Sequence, residues 1–409
     1  MLGVYSWGPV LGWGHTDTML YFMWAGWEHQ LSKVTDRNTY ESIANLLRWS
    51  FTALWEGRWP THDHMGNEFP PGTRSYELAH GPDNRLAGGY YGLLWVIESD
   101  LDFLSVFWNF PRPGAAFCCA YCPCTNKFGL MPSDNFSIAP PAPWMSQIRN
   151  LDYMLAHPER FPNPMYKIPG VTPLTVCIDW MHTKYLGTDQ YFLGSVLFTL
   201  CHNLMSHGSP EANCAHLWKY VKAEYKARNT PTRYRVLKLS MFSNGSGGYP
   251  SLKGKAHAIK HLGLILRDLF WKWHDDSDPY QKGILRALNS SYRLEEILHL
   301  YKSDFKFPVE IGEEFCDLCL AHVRQQQALK DFDGRKLFNI TFKHHWLVHA
   351  GHRAKYQNPR MGWCFMGEDL MLKVRTMTHP CTFGTKGEVV HKKLLSRMIR
   401  ELEGKFNFV

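Results

Sequence analysis

Four thiols within seven residues, Cys118-Cys119-Ala120-Tyr121-Cys122-Pro123-Cys124, constrain this chain more than any other stretch. A C-x-x-C turn presents two thiolates to one tetrahedral Zn²⁺, so the turn supplies half a site. The other half is sought where imidazoles gather. Lys343-His344-His345-Trp346-Leu347-Val348-His349 sets them four or five residues apart, near one side of a helix. Two cysteines and two histidines complete a closed structural site, and this one joins segments more than two hundred residues apart. The competing reading is buried thiols and an aromatic-rich packed helix. Cys316-x-x-Cys319 has the same spacing, but it lies in the amphipathic stretch EEFCDLCLAHV with no partner pair nearby and reads as core.

The chain has 409 residues, 45% of them hydrophobic and 14% aromatic, enough for a large core in one domain or two closely packed ones. Its eleven cysteines are odd in number and clustered, unlike a disulfide framework, which points to a reducing compartment. The opening MLGVYSWGPVLGW lacks a basic n-region, and no apolar run reaches the roughly 18 residues a bilayer requires. A soluble intracellular or nuclear protein is expected, with no membrane partner. A net charge of +8 suits a surface that meets polyanions.

Helices are expected around Thr18 to Leu31 and Tyr40 to Leu54. The continuous apolar run Leu93-Leu94-Trp95-Val96-Ile97 suits a strand buried on both faces, and Leu174 to Ile178 reads as another. Met181, Tyr185, Leu186, Leu193, Leu197, Leu200 and Leu204 recur at helical spacing and predict a long amphipathic helix. Beyond it, Lys219, Lys222, Lys226, Arg228, Arg233, Arg235 and Lys238 lie among Tyr220, Tyr225 and Tyr234. Either this is a solvated helix face, or the cations neutralise backbone phosphate while the tyrosines pack on sugars and bases.

Isolated acids stand at element ends. Asp100 follows the first apolar run, and Glu368 opens an apolar helix after Trp363-Cys364-Phe365-Met366-Gly367. Carboxylates so placed can hold two Mg²⁺ ions for phosphodiester cleavage, although each alone also serves as a helix cap or surface charge. Asp179-Trp180-Met181-His182 puts an acid and a histidine on one face of a helix start. It reads as a structural motif, the acid capping the helix and orienting the imidazole, with metal binding as the alternative. A metal-dependent hydrolase using His62, His64 and Asp179 is a further class, without spacing that favours any metal.

The order of these motifs carries more than any one of them. Ser99-Asp100-Leu101-Asp102, Cys119-x-x-Cys122, Asp179-x-x-His182 with Leu186-Gly187, the Lys-His-His…His segment and then Glu368 resemble the succession in CACTA-type transposases, over roughly residues 88 to 400. The spacing is also similar to that of the V(D)J recombinase catalytic subunit. This resemblance implies a DDE/D triad on an α/β, RNase H-like core interrupted by a large, mainly helical insertion. It makes Asp100 the second catalytic acid and Glu368 the third, with Mg²⁺ or Mn²⁺ as catalytic ions. Cys119, Cys122, His344 and His349 become ligands of a structural Zn²⁺, with His345 a substitute for His344.

The family's first aspartate belongs well upstream, where too little chain precedes Asp100. Asp17 is the sole early candidate. The resemblance thus implies a DNA-processing domain incomplete at its beginning, or a catalytically dead, zinc-stabilised DNA- or protein-binding module. The expected organisation is an N-terminal partial core over 1–85, a core with the cysteine cluster over 86–204, a helical insertion over 205–335 and catalytic-face helices over 336–409. Lys392 and Lys393 in the last segment join the candidate DNA contacts. DNA is the expected partner, in a homo-oligomer, and no small-molecule substrate is expected.

Overall fold

The computed structural model describes residues 2–7, 21–27, 31, 32, 34, 38–125, 138, 142–243, 247–330, 332–382 and 387–406. The architecture is helical. Among the described residues the only sheet is an antiparallel pair, β1 (Leu2–Trp7) with β2 (Tyr21–Trp27). Twelve α-helices follow among the described residues: α1 (Thr39–Glu56), α2 (Arg74–His80), α3 (Leu101–Phe107), α4 (Leu151–Ala156), α5 (Asp189–Thr199), α6 (Pro210–Ala227), α7 (Ala256–Trp273), α8 (Pro279–Leu300), α9 (Val309–Leu329), α10 (Phe342–Ala354), α11 (Phe365–Thr382) and α12 (Gly387–Phe406).

The expected α/β, RNase H-like core is therefore replaced by a helical fold. Residues 93–97 form no strand, because they are not enclosed on both faces. Leu93 and Trp95 are exposed, and among the described residues the run makes one isolated bridge. Its partner is the second expected strand, reduced to that single parallel bridge: Ile97 N–H donates to Thr175 O at 3.1 Å and Cys177 N–H to Ile97 O at 2.9 Å. Pro173 opens a short 3₁₀ turn over Pro173–Thr175, which a strand cannot accommodate. The helix expected around Thr18 to Leu31 also gives way, since Tyr21–Trp27 is the strand β2, rich in aromatics that favour a pleated surface.

Two compact units divide the chain, each built from separate stretches. The first comprises 1–111, 149–177 and 365–409. In it, α1 covers the expected Tyr40 to Leu54 helix, starting where Asn38 Oδ1 accepts from Tyr40 N–H at 3.0 Å. It stops at Gly57, whose φ of 67° places it in the left-handed region. Tyr40 meets Phe107 of α3 edge-on, and the Asn163 amide bonds Phe107 O.

The second unit comprises 112–148 and 178–364 and holds α5 to α10. Its centre is the long helical run that the Met181 to Leu204 spacing predicts. The run is more deeply buried at α5 than the expected amphipathic helix, with only Gln190, Tyr191 and Phe198 of α5 half-buried. Phe192, Leu193 and Leu197 pack with Leu262, Leu266 and Phe270 of α7 and Ile284 and Leu288 of α8. Each such side chain contributes about 1.5–3 kcal/mol relative to exposure.

Two π-helical segments, Met181–Thr188 and Leu200–Leu204, flank α5. In the first, the Leu186 carbonyl is taken up by Lys343 Nζ at 2.8 Å. α9 and α10 pack so closely that a Cβ on Gly351 would lie 2.8 Å from Cys319 Cβ. Cys316 and Cys319 are core residues of α9. All eleven cysteines are buried free thiols, and among the described residues no helix is long and apolar enough to cross a membrane.

Candidate metal centre

The cysteine turn is a knuckle pinched at its base by an antiparallel bridge between Phe117 and Thr125, with Cys118 N–H donating to Cys124 O at 3.4 Å. Tyr121 N–H points at Cys119 Sγ, 3.3 Å away, the turn geometry that brings both thiols of a C-x-x-C to one side. Facing them are His345 and His349 of α10. Cys119 Sγ lies 3.5 Å from His349 Nε2, Cys122 Sγ 3.4 Å from His345 Nε2, and the two Nε2 atoms are 3.2 Å apart. The four donor atoms lie within 4.8 Å of one another, and all four residues are buried.

These distances match the edges of a coordination tetrahedron. Zn–S and Zn–N bonds of about 2.3 and 2.0 Å put S and N about 3.5 Å apart and two nitrogens about 3.3 Å apart. Hydrogen bonding alone does not explain the cluster. His349 Nε2 approaches both Cys119 Sγ and His345 Nε2, although one ring nitrogen has a single in-plane direction for donating or accepting. The buried Cys₂His₂ cluster is thus able to hold a metal ion such as zinc.

Electrostatics at the cluster favour ligation. Burial opposes ionisation of the Cys119 thiol, yet the Cys122 hydrogen bond and the imidazoles of His349 and His345 together take it well below the usual thiol range. Burial and the neighbouring Cys119 push Cys122 up, so binding of a divalent cation by this pair displaces a thiol proton. Burial lowers His349, against the opposing pull of Cys119, and so favours the ring form whose lone pair a metal takes. Aromatic rings close the shell: Trp144 lies 4.2 Å from the His345 ring and 5.3 Å from that of His349, and Tyr121 5.7 Å from His349.

The structure brings Cys119, Cys122, His345 and His349 together and leaves His344 outside. Residues five apart on a helix differ by about 140° around the axis and those four apart by about 40°, so 345 and 349 share a face and 344 and 349 do not. His344 instead closes the start of α10. Its Nδ1 accepts from Thr341 N–H at 3.0 Å, and its Nε2 meets Gln326 Oε1 of α9 at 3.1 Å. The His344–His349 pairing carried over from the recombinase pattern is therefore replaced by His345–His349.

The other residues singled out in the sequence fall elsewhere. Asp100 caps α3, its Oδ1 accepting from Phe103 N–H at 2.8 Å, and Glu368 stands in the first turn of α11. Neither belongs to a cluster of three or more metal-ligating groups among the described residues, and no such cluster holds the paired carboxylates that Mg²⁺ or Mn²⁺ prefers. Asp17 lies outside the described residues.

Lys219, Lys222 and Lys226 are exposed on α6, and Arg228, Arg233 and Arg235 are exposed beyond it. Arg228 is tied to Glu224 at 3.1 Å and to Asp268 at 2.5 Å. Tyr225 and Tyr234 belong to the core, so they do not serve as a stacking surface. Lys392 and Lys393 are exposed on α12. Asp179 and His182 meet as expected of a capping motif, with Asp179 Oδ1 accepting from Met181 N–H at 2.9 Å. Sequence reasoning missed that the same Oδ1 also accepts from Cys364 N–H at 3.1 Å; a lone cysteine before a helix gave no signal of this.

No protein family, curated protein or solved structure matches the chain.

Proposed function

We propose that this chain is a zinc-stabilised DNA-binding module, the non-catalytic of the two readings suggested by the order of its motifs. The observation that carries it is the buried Cys119–Cys122–His345–His349 cluster, a closed set of four soft and borderline donors that suits a structural Zn²⁺. Zinc there fastens the 112–148 segment to α10 within the second unit. The DNA-contacting surface is the stretch from Lys219 to Lys238, with seven basic residues and one acid, Glu224. Lys219, Lys222 and Lys226 share one face of α6 and reach solvent, as backbone-phosphate contacts require. Nuclear location and association of two copies, each holding a DNA segment, belong to the same proposal.

The test is duplex binding by the zinc-loaded protein over a salt series, beside a Lys219→Ala/Lys222→Ala/Lys226→Ala variant. Each phosphate contact contributes about −0.9 to the slope of log K against log salt, so the triple variant should be shallower by about 2–3. Failure of the wild type to bind duplex at low salt, or an unchanged slope in the variant, overturns the reading.

A further inference from the structure

Beside the closed cluster, the second unit contains another convergence of metal-ligating groups. Asp179, His182 and Cys364 place a carboxylate oxygen, an imidazole nitrogen and a thiol sulfur within 4.8 Å of one another. We propose that these three residues form a second metal site, reached by solvent at His182, for a borderline divalent cation such as Zn²⁺.

The site is built from segments far apart in sequence. Asp179 is buried, and its Oδ1 accepts from Met181 N–H at 2.9 Å and from Cys364 N–H at 3.1 Å. One carboxylate oxygen thus holds the start of the helical run and the Cys364 backbone at once, while Oδ2 meets His182 Nδ1. His182 stands in the π-helical segment Met181–Thr188, a widened turn of the kind that recurs at functional sites. Trp363, the residue before Cys364, has the Arg360 guanidinium 4.1 Å and the Lys260 ammonium 5.1 Å from its ring centre.

Donor chemistry selects the cation. One oxygen, one nitrogen and one sulfur suit zinc and disfavour Mg²⁺, which takes oxygen alone. On binding, the Cys364 thiol releases its proton to solvent and coordinates as thiolate. The His182 side chain retains 27% of its exposure, in contrast to the sealed Cys₂His₂ cluster. Three protein ligands leave the fourth position of a tetrahedral cation to water or another oxygen ligand, so the cation here exchanges more readily than one held by four protein ligands.

Metal analysis of the full chain, loaded with Zn²⁺ and desalted, tests this, with His182→Ala and Cys364→Ser beside Cys119→Ser/Cys122→Ser. Circular dichroism verifies folding of each. Two zinc ions per wild-type chain are expected, falling to one in His182→Ala and in Cys364→Ser. One zinc per wild-type chain, unaffected by His182→Ala and Cys364→Ser and lost with Cys119 and Cys122, overturns the second site and leaves the proposed function standing. One zinc lost only in His182→Ala and Cys364→Ser upholds this site and removes the structural one. Two zinc ions retained by both His182→Ala and Cys364→Ser also overturn the second site. Should the double cysteine variant fail to fold, Co²⁺ substitution decides. Cys364→Ser then lowers the thiolate-to-cobalt absorption of a folded chain if the site exists and leaves it unchanged if it does not.

Discussion

His344 and His345 are neighbours with different tasks, and the 100° between them on α10 decides which. His345 turns to the cysteine knuckle, and His344 turns back to Thr341 and across to Gln326. His345→Ala should abolish binding at the Cys₂His₂ cluster, as should His349→Ala. His344→Ala should retain that zinc and lose roughly 1–3 kcal/mol of stability, because it takes a buried partner from Thr341 N–H and Gln326. Metal stoichiometry beside a urea midpoint for each variant separates the two roles, and zinc loss in His344→Ala alone would contradict the assignment. That the two segments meet was legible in the sequence, because C-x-x-C and clustered imidazoles are complementary halves. Which histidine serves was decided by helical phase.

At the scale of elements, α9 carries a buried imidazole that makes the helical core sensitive to acid. His322 Nδ1 meets Ala287 O of α8 at 3.0 Å, and burial, reinforced by the nearby Lys184 charge, lowers its pKa to about 3. The unfolded ring takes a proton below pH of about 6.5. The folded one stays neutral down to about 3, so the unfolded state binds the extra proton and stability falls as pH falls through this window. The loss approaches 1.4 kcal/mol per pH unit for one such group. In His322→Leu the denaturant midpoint should vary less with pH between 6 and 4 than in the wild type, and identical slopes would count against the assignment.

The strand readings failed at this scale for a related reason. Apolar runs at 93–97 and 174–178 are compatible with strands, but a strand needs neighbours along its length, and here each finds the other at one bridge only. Helical elements were more legible, since their hydrogen bonds are local and their spacing marks the packed face. Tyr40 to Leu54 and the run from Met181 are both helical in the structure.

For the molecule as a whole, an ion held by the Cys₂His₂ cluster would fasten chain-distant parts of the second unit. Free zinc at a thousand times its Kd stabilises the folded state by about 4 kcal/mol, which for a unit of this size is about 8–16 °C in Tm. Chelation should lower Tm by that order and expose the peptide bonds near Cys118 to Cys124 to limited proteolysis. A chelated protein with unchanged Tm and digestion pattern would mean that packing by Trp144 and Tyr121 suffices without the ion.

By itself the sequence determined the local things: helices with strong periodic faces, a thiol pair at ligand spacing, imidazoles on a neighbouring helical turn, and a basic stretch that reaches solvent. Such features depend on residues a few positions apart, whose geometry the backbone fixes. Tertiary structure alone decided that the apolar runs meet at a single bridge, that Tyr225 and Tyr234 enter the core and that His345 displaces His344. It also decided that Asp179 reaches Cys364. Each of those outcomes depends on which distant surface arrives opposite a residue. Burial and helical phase set that, and spacing along the chain does not encode it.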